Sequence, residues 1–543
     1  MSIMPRRNSG LLVTLVLAVA GAAVAGAVLF ASSRAGEVDL TTAAFVPGDT
    51  AFYVALNTDL SSGQWVRAFD LVKRMGREDP EGDLKDAVEG EGDVDWDDEV
   101  VPFLGGNAAF FASGFDWESD TFIGGIVVKA KDTSHALEVI LNEVEGTVAE
   151  GEYAGIAFHH FEDDGDVFLA IIDKHLVVAP NMASLRAAVD VHNGQAPALS
   201  GDPDFIRLRD ELTGNFLAFV YVRPDSLIAE AFAEFGLADV EALPTATDAS
   251  PFAAVVGAAA DAFEFQAASV SSGDVPGMLE PRSSRFAPMV PADTMLFATT
   301  YGVGPSWADA VAATGEMAAA LSSDLWSPYP IDDPDVIAEM EASCEEYPEF
   351  CEDVDPFGFP FDPGVVEATV MGFAELLALM DGELAIAAWP GDAQAIDAIL
   401  LAEVSDEARA LELLDEIVAA GMMVPAEPTT IAGNDVRLVE GLVAYGVAGG
   451  YLFLGSPGAV EAVLAGVSLP MTGNATYRGA IDQMPTPLGS YLFLNLFSLL
   501  RSDAGDAIPD LDAAMRALDG LIINAVSERG VVRVSGVVTI REN

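Results

Sequence analysis

Histidine and cysteine are nearly missing from this chain of 543 residues, which holds five of the first and two of the second. That scarcity excludes a disulfide-dense scaffold and a Cys/His zinc framework, since structural zinc sites take four ligands each. Positive charge is short as well: 25 Lys and Arg stand against 86 Asp and Glu, giving a net charge of −61 and a pI near 4.1. A surface of that sign repels phosphate backbones, so no nucleic acid is expected as a partner. All five lysines (Lys73, Lys85, Lys129, Lys131 and Lys174) lie in the first third. Also absent are a G-x-S-x-G nucleophile elbow, a phosphate-binding G-x-x-x-x-G-K loop, a dinucleotide fingerprint and H-E-x-x-H. What the chain does have is apolar residues, 51% of the total, enough to bury sizeable cores.

One apolar run is continuous. From Leu11 to Ala31 the sequence LLVTLVLAVAGAAVAGAVLFA carries no charge, and as a helix it would span roughly 30 Å, the thickness of a bilayer's hydrocarbon core. Arg6 and Arg7 precede it, so the positive-inside bias places residues 1–10 in the cytoplasm and the chain beyond Arg34 outside. The expectation is a single-pass anchor in the cell membrane with the bulk extracytoplasmic. The alternative is a cleaved signal peptide, for which Ala31-Ser32-Ser33 offers a small-x-small site, although such apolar regions typically run about 7–15 residues. The acidic part beyond suits high salt or strong hydration, and compositional bias would produce it equally.

The most informative pattern is a long internal repeat. Val46-Pro47-Gly48-Asp49-Thr50 returns as Val290-Pro291-Ala292-Asp293-Thr294, each followed by an apolar run and then by Trp65 or Trp307. IVVKAKDTSHALEVIL from Ile126 matches ILLAEVSDEARALELL from Ile399, with Asp132 and Asp406 placed to accept the first backbone N–H groups of a helix. FLAIIDKHLVVAPNMASLRAAV from Phe168 faces VAYGVAGGYLFLGSPGAVEAVL from Val443, a hairpin and then a helix. NFLAFVYVRPDSL faces GSYLFLNLFSLL, and AFEFQAASV and GVVRVSGVV close the two copies. The copies occupy 45–275 and 286–541, joined by a Gly/Pro/Ser-bearing linker, residues 271–285. Each reads strand, helix, strand pair, helix, three strands, two helices, strand, helix, strand pair. That order predicts an α+β fold: a tandem duplication of one domain, each a mainly antiparallel sheet with helices on one face, preceded by a single N-terminal transmembrane helix. Strands near 216–222 and 491–496 are apolar almost throughout and should be central; Phe263, Phe265 and Ala267 alternate with Glu264 and Gln266, as in a half-exposed strand. The second copy carries an acidic, Pro-rich insert, residues 324–364, with seven prolines, thirteen acids and no Lys or Arg. Its default reading is a surface excursion.

PGDTAFYVALNTDL, WDDEVVPFLGGNAAFFAS and VVAPNMASLRAAV together resemble the bacterial proteins grouped as domain of unknown function 3352. The resemblance covers most of the chain and implies one N-terminal span followed by an extracytoplasmic part. The second copy departs from it, with Ala378-Leu379-Met380-Asp381-Gly382 where the first has Pro102-Phe103-Leu104-Gly105-Gly106. It implies no activity, substrate or cofactor.

The remaining polar candidates read as structure. His159-His160 precedes Glu162, Asp163, Asp164 and Asp166, types that could ligate a divalent metal, but neighbours on a strand point to opposite faces, so a turn with solvated acids is the preferred reading. His175 reads as a turn residue, and His135 and His192 as surface positions on or just after helices. Asp93, Asp95 and Asp97 open like a calcium loop, yet Asp98 stands where glycine is needed and Leu104 where the closing acid belongs. Loose divalent cations on the acidic surface are the most such acids support. Trp65 and Trp307 read as core anchors. Cys344 and Cys351, in the insert, are a candidate local disulfide outside the cytoplasm. No catalytic, cofactor or metal residue is nominated. The expected function is a non-enzymatic, membrane-tethered binding or structural protein of the cell envelope, with an unknown protein or apolar ligand as partner. The alternatives are a carrier of a lipid-like apolar ligand in a sheet groove and a carboxylate-based hydrolase.

Overall fold

The computed structural model describes residues 40–92, 95–116, 121–143, 147–161, 167–212, 216–223, 250–270, 279–302, 304, 308, 363–391, 395–422, 425–485, 488–500 and 517–541. The Leu11–Ala31 run, Trp307, most of the 324–364 insert with Cys344 and Cys351, and the acids from Glu162 to Asp166 lie outside the described residues. Among those described, no helix is long and apolar enough to cross a membrane.

The chain divides into two compact units. One holds residues up to Val275 together with 475–488 and 494–543; the other holds 276–474 and 489–493. In the first unit the strands are β1 (Phe52–Asn57), β2 (Asn107–Asp116), β3 (Thr121–Lys129), β4 (Val148–Tyr153), β5 (Ile156–Phe161), β6 (Val167–Ile172), β7 (His175–Ala179), β8 (Ala218–Val222), β9 (Phe252–Ala258) and β10 (Ala262–Val270). Its helices are α1 (Gly63–Arg74), α2 (Pro80–Gly92), α3 (Thr133–Glu143), α4 (Met182–His192) and α5 (Pro203–Glu211). The second unit has β11 (Leu296–Tyr301), β12 (Glu383–Pro390), β13 (Ile396–Glu403), β14 (Glu427–Ile431), β15 (Asn434–Val439), β16 (Val443–Ala448), β17 (Tyr451–Gly455) and β18 (Ser490–Leu494), with α6 (Pro363–Leu379), α7 (Glu407–Met422) and α8 (Pro457–Ala465). The C-terminal strands β19 (Leu518–Glu528) and β20 (Val531–Ile540) return to the first unit.

The fold is α+β. Every strand pair with a printed register is antiparallel, as connections this short require. In the first unit neighbours run β4-β5-β6-β7-β3-β2-β1-β8-β9-β10. In the second they run β14-β15-β16-β17-β13-β12-β11-β18, the first eight places of that order again. β8 lies between β1 and β9, the central place its apolar sequence predicts. β10 then pairs with β20, from Ala262 opposite Thr539 to Val270 opposite Val531, and β20 pairs with β19. The division by compactness therefore differs from the division by repeat, because the C-terminal hairpin of the second copy completes the sheet of the first unit.

Local chemistry explains the recurring joints. Asp132 Oδ1 accepts from the N–H groups of Ser134 and His135, and Asp406 Oδ1 from those of Ala408 and Arg409, so both helices start on the predicted caps. The β6–β7 turn holds Asp173 and Lys174 at positive φ where the β16–β17 turn holds Gly449 and Gly450. Two left-handed residues in succession match the twist of a two-residue hairpin. Each V-P-x-D-T segment bridges to the stretch after the later helix, Pro47 to Ala198 and Pro291 to Pro470, with Leu199 N–H donating to Val46 O and Met471 N–H to Val290 O.

Two expectations need correction. Four strands, not three, follow α3, because Ala154 (φ 49°) and Gly155 (φ 86°) fold one predicted strand into the β4–β5 hairpin. Helices also cover both faces of the first unit's sheet rather than one. Phe168, Ala170, Ile172, Val177 and Ala179 pack with Leu185 and Val189 of α4, while the alternate residues Leu169 and Leu176 pack with Ala136 and Ile140 of α3. A strand such as VFLAII, apolar on both faces, requires cover on both.

Scarce arginines are shared. Arg74 reaches Asp70 and Asp261, Arg409 reaches Glu375 and Glu412, and Arg533 reaches Glu211 and Glu528. Most other acids keep their mutual repulsion, which screening relieves. The melting temperature should rise by about 5–10 °C from low to molar NaCl, with KCl equivalent, a shift corresponding to a few kcal/mol. A flat profile in differential scanning fluorimetry would mean the acids are dispersed well enough not to repel.

Candidate functional site

Among the described residues, Glu383 is the one buried carboxylate, 2% exposed. It opens β12, following the tight Asp381-Gly382 turn, and Tyr301 of β11 lies opposite it. Its Oε1 accepts from the hydroxyls of Ser284 and Thr299, the latter at 2.7 Å, and its Oε2 accepts from Arg285 N–H at 2.5 Å. Its own N–H donates to Glu403 Oε2 at 3.0 Å. Arg285, at the end of the linker segment, then donates from Nη1 to Glu403 Oε1 and from Nη2 to Gly449 O, both at 2.8 Å, with its guanidinium over the Tyr451 ring. Burial pushes the Glu403 carboxyl up, but the Arg285 hydrogen bond and the Glu383 N–H outweigh it, so its pKa lies below the ordinary value.

Asn107, which opens β2, takes the corresponding place in the first unit and is fully buried. Its Nδ2 donates to Thr42 Oγ1 at 3.2 Å, and that hydroxyl is also hydrogen-bonded to Tyr53 OH at 2.8 Å. In both units a polar side chain on the second strand of the repeat holds down the segment that enters the repeat. Chemically this is anchoring. Two carboxylates do meet at Glu383 and Glu403, but each of their oxygens is engaged by the chain itself.

The histidines are dispersed. His159 and His160 lie within β5, not in a turn, and His160 stacks on Phe168 with ring centroids 4.2 Å apart. His175 begins β7 and is buried rather than in the turn. His135 Nε2 is 3.0 Å from Asp98 O on the exposed side of α3, and His192 ends α4. Asp95 caps the short helical turn Trp96–Val100 through Asp98 N–H. No group of three or more His, Cys, Asp or Glu suited to a metal occurs among the described residues. Trp65 is a core anchor, its indole N–H donating to Asn57 O at 2.9 Å. An open depression of about 490 Å³ follows α7, lined by Ala408, Leu411, Glu412, Asp415, Glu416 and Ala419.

Glu264 of β10 is the other perturbed acid in the sheets. Burial raises its pKa and the nearby Arg67 opposes that. An acid whose folded pKa is raised costs stability once the pH exceeds its unfolded value. Glu264→Gln should therefore raise the melting temperature at neutral pH and leave it unchanged in acid. Equal gains at both pH values would assign the effect to packing.

These features define an α+β protein of antiparallel sheets whose buried polar groups secure its own chain. The chain belongs to the family of proteins of unknown function DUF3352, whose sequence model matches residues 11–327 and 372–518. No curated protein matches it. Among solved structures, crystal form III of TP0453 is similar at 12% identity and a TM-score of 0.23, covering 45% of this chain and 83% of that one. Crystal form I of TP0453 is similar at 10% identity and a TM-score of 0.22, covering 45% and 82%.

Proposed function

We propose that this chain is a non-enzymatic binding or structural protein of the cell envelope, tethered by residues 11–31 with its bulk extracytoplasmic, and built by tandem duplication of one domain. The observation that carries the reading is the Glu383 cluster, because the acid pair best placed for catalysis is committed to holding Ser284 and Arg285. Supporting the duplication, the order of eight strands and the hydrogen bonds around both V-P-x-D-T segments recur. Two linked copies would give avidity for a repeated partner.

A second reading, a carrier of an apolar ligand, is favoured by one observation. On β12 and β13 the face that bears Leu384 and Leu400 also exposes Ile386 (45%) and Ile396 (59%). The full chain, extracted from membranes, is examined by native mass spectrometry and screened against broad hydrolase substrates. The proposal expects no turnover and no stoichiometric lipid. Turnover abolished by replacing one Asp or Glu, with folding intact, overturns it in favour of a hydrolase; a stoichiometric apolar ligand overturns it in favour of the carrier.

A further inference from the structure

Phe45 closes the 3-10 turn Leu40–Phe45, through which residues 1–39 join the first unit. Its ring is buried between two imidazoles, 4.4 Å from that of His175 and stacked at 5.7 Å on that of His192, centroid to centroid. The surroundings of the two histidines differ in sign. His192 faces the Asp173 carboxylate, with Oδ2 3.8 Å from its Nδ1. His175 is 8% exposed, and the strands on either side place Lys129 of β3 and Ile172 of β6 directly opposite it. Of the charged groups on neighbouring elements, Asp173 and Lys174 occupy the turn before it, and Asp190 of α4 is engaged by the Tyr153 hydroxyl. A proton on His175 therefore puts positive charge into an aromatic contact beside a lysine strand, where burial and like charge both oppose it.

We propose that His175 makes the joint between the N-terminal segment and the first unit acid-labile: protonation of its ring displaces Phe45 and loosens Leu40–Phe45 while the sheet beneath stays paired. The docked form binds fewer protons than the loosened form, in which the ring reaches water. Docking is thus fully present at high pH and is lost as pH falls. This device stands independently of what the protein binds.

Hydrogen exchange on the full chain tests it, comparing amides of residues 40–46 with those of β8 at about pH 7.5 and about pH 5, corrected for intrinsic rates. Protection of the turn relative to β8 should fall by about tenfold or more, the change that one proton linked over one pH unit supplies. His175→Phe keeps an aromatic contact without a titrating group and should abolish the fall; His192→Gln should retain it. An unchanged ratio in the natural chain, or the same fall in His175→Phe, overturns the proposal. If His175→Phe does not fold, imidazole NMR of the natural chain decides: titration of His175 coincident with the loss of protection supports the proposal, and titration with the turn still protected overturns it.

Discussion

Replacing Glu383 with alanine lowers the stability of the second unit by about 3–5 kcal/mol, the range seen when one partner of a buried charged network is removed. The substitution leaves the hydroxyls of Ser284 and Thr299 and the N–H of Arg285 facing an empty place that water reaches poorly. Glu383→Gln keeps the shape and one acceptor but turns an NH2 toward those donors, so about 1–2 kcal/mol should be lost. Urea denaturation followed through the buried Trp389 of β12 reads both. Acid should act in the same direction through Glu403: its folded pKa is depressed, so the stability it contributes is present above its unfolded pKa and lost as pH falls through the folded one. An alanine variant within about 0.5 kcal/mol of the natural chain would mean that the linker end is held by packing alone.

Glu383 was not legible in the sequence. It is one of 86 acids, and what distinguishes it is burial against residues about a hundred positions away. The one available signal was its alignment with Asn107 at the head of the equivalent strand. Features decided within a few residues were legible: the caps at Asp132 and Asp406, the β6–β7 and β16–β17 hairpins, and the central place of β8. The β4–β5 turn was missed because Ala154, a residue without turn chemistry, sits in the left-handed region beside Gly155. Cover on both faces could have been read from VFLAII, whose uninterrupted apolar run leaves no side for water. Where the last hairpin docks could not be read, because the alternation in AFEFQAASV says that β10 has two faces and says nothing about which strand lies at its edge.

That docking is the basis of the other large effect. A chain ending before residue 517 loses β19 and β20, and with them the buried side chains of Ile522, Val531, Val537 and Ile540. At about 1.5–3 kcal/mol for each buried side chain the loss is at least about 6 kcal/mol, comparable to the whole stability of a typical domain. Ala517, Leu518 and Ile540 also leave the cluster around Trp65, and Val531 leaves the main core of the first unit. Beyond the lost burial, β10 becomes an edge. Its backbone groups from Ala262 to Val270, now paired with β20, would face solvent along a strand whose only charge is Glu264. Natural edge strands carry bulges, prolines or several charges to prevent pairing with other chains, and β10 carries little of this. The truncated protein should therefore either fail to fold its first unit or assemble through β10, seen as loss of the cooperative transition or as dimers and larger species in analytical ultracentrifugation. A truncated chain that stays monomeric and melts as cooperatively as the full one would show that the first unit is complete without the hairpin, and that the β10–β20 seam is a contact of convenience between two finished sheets.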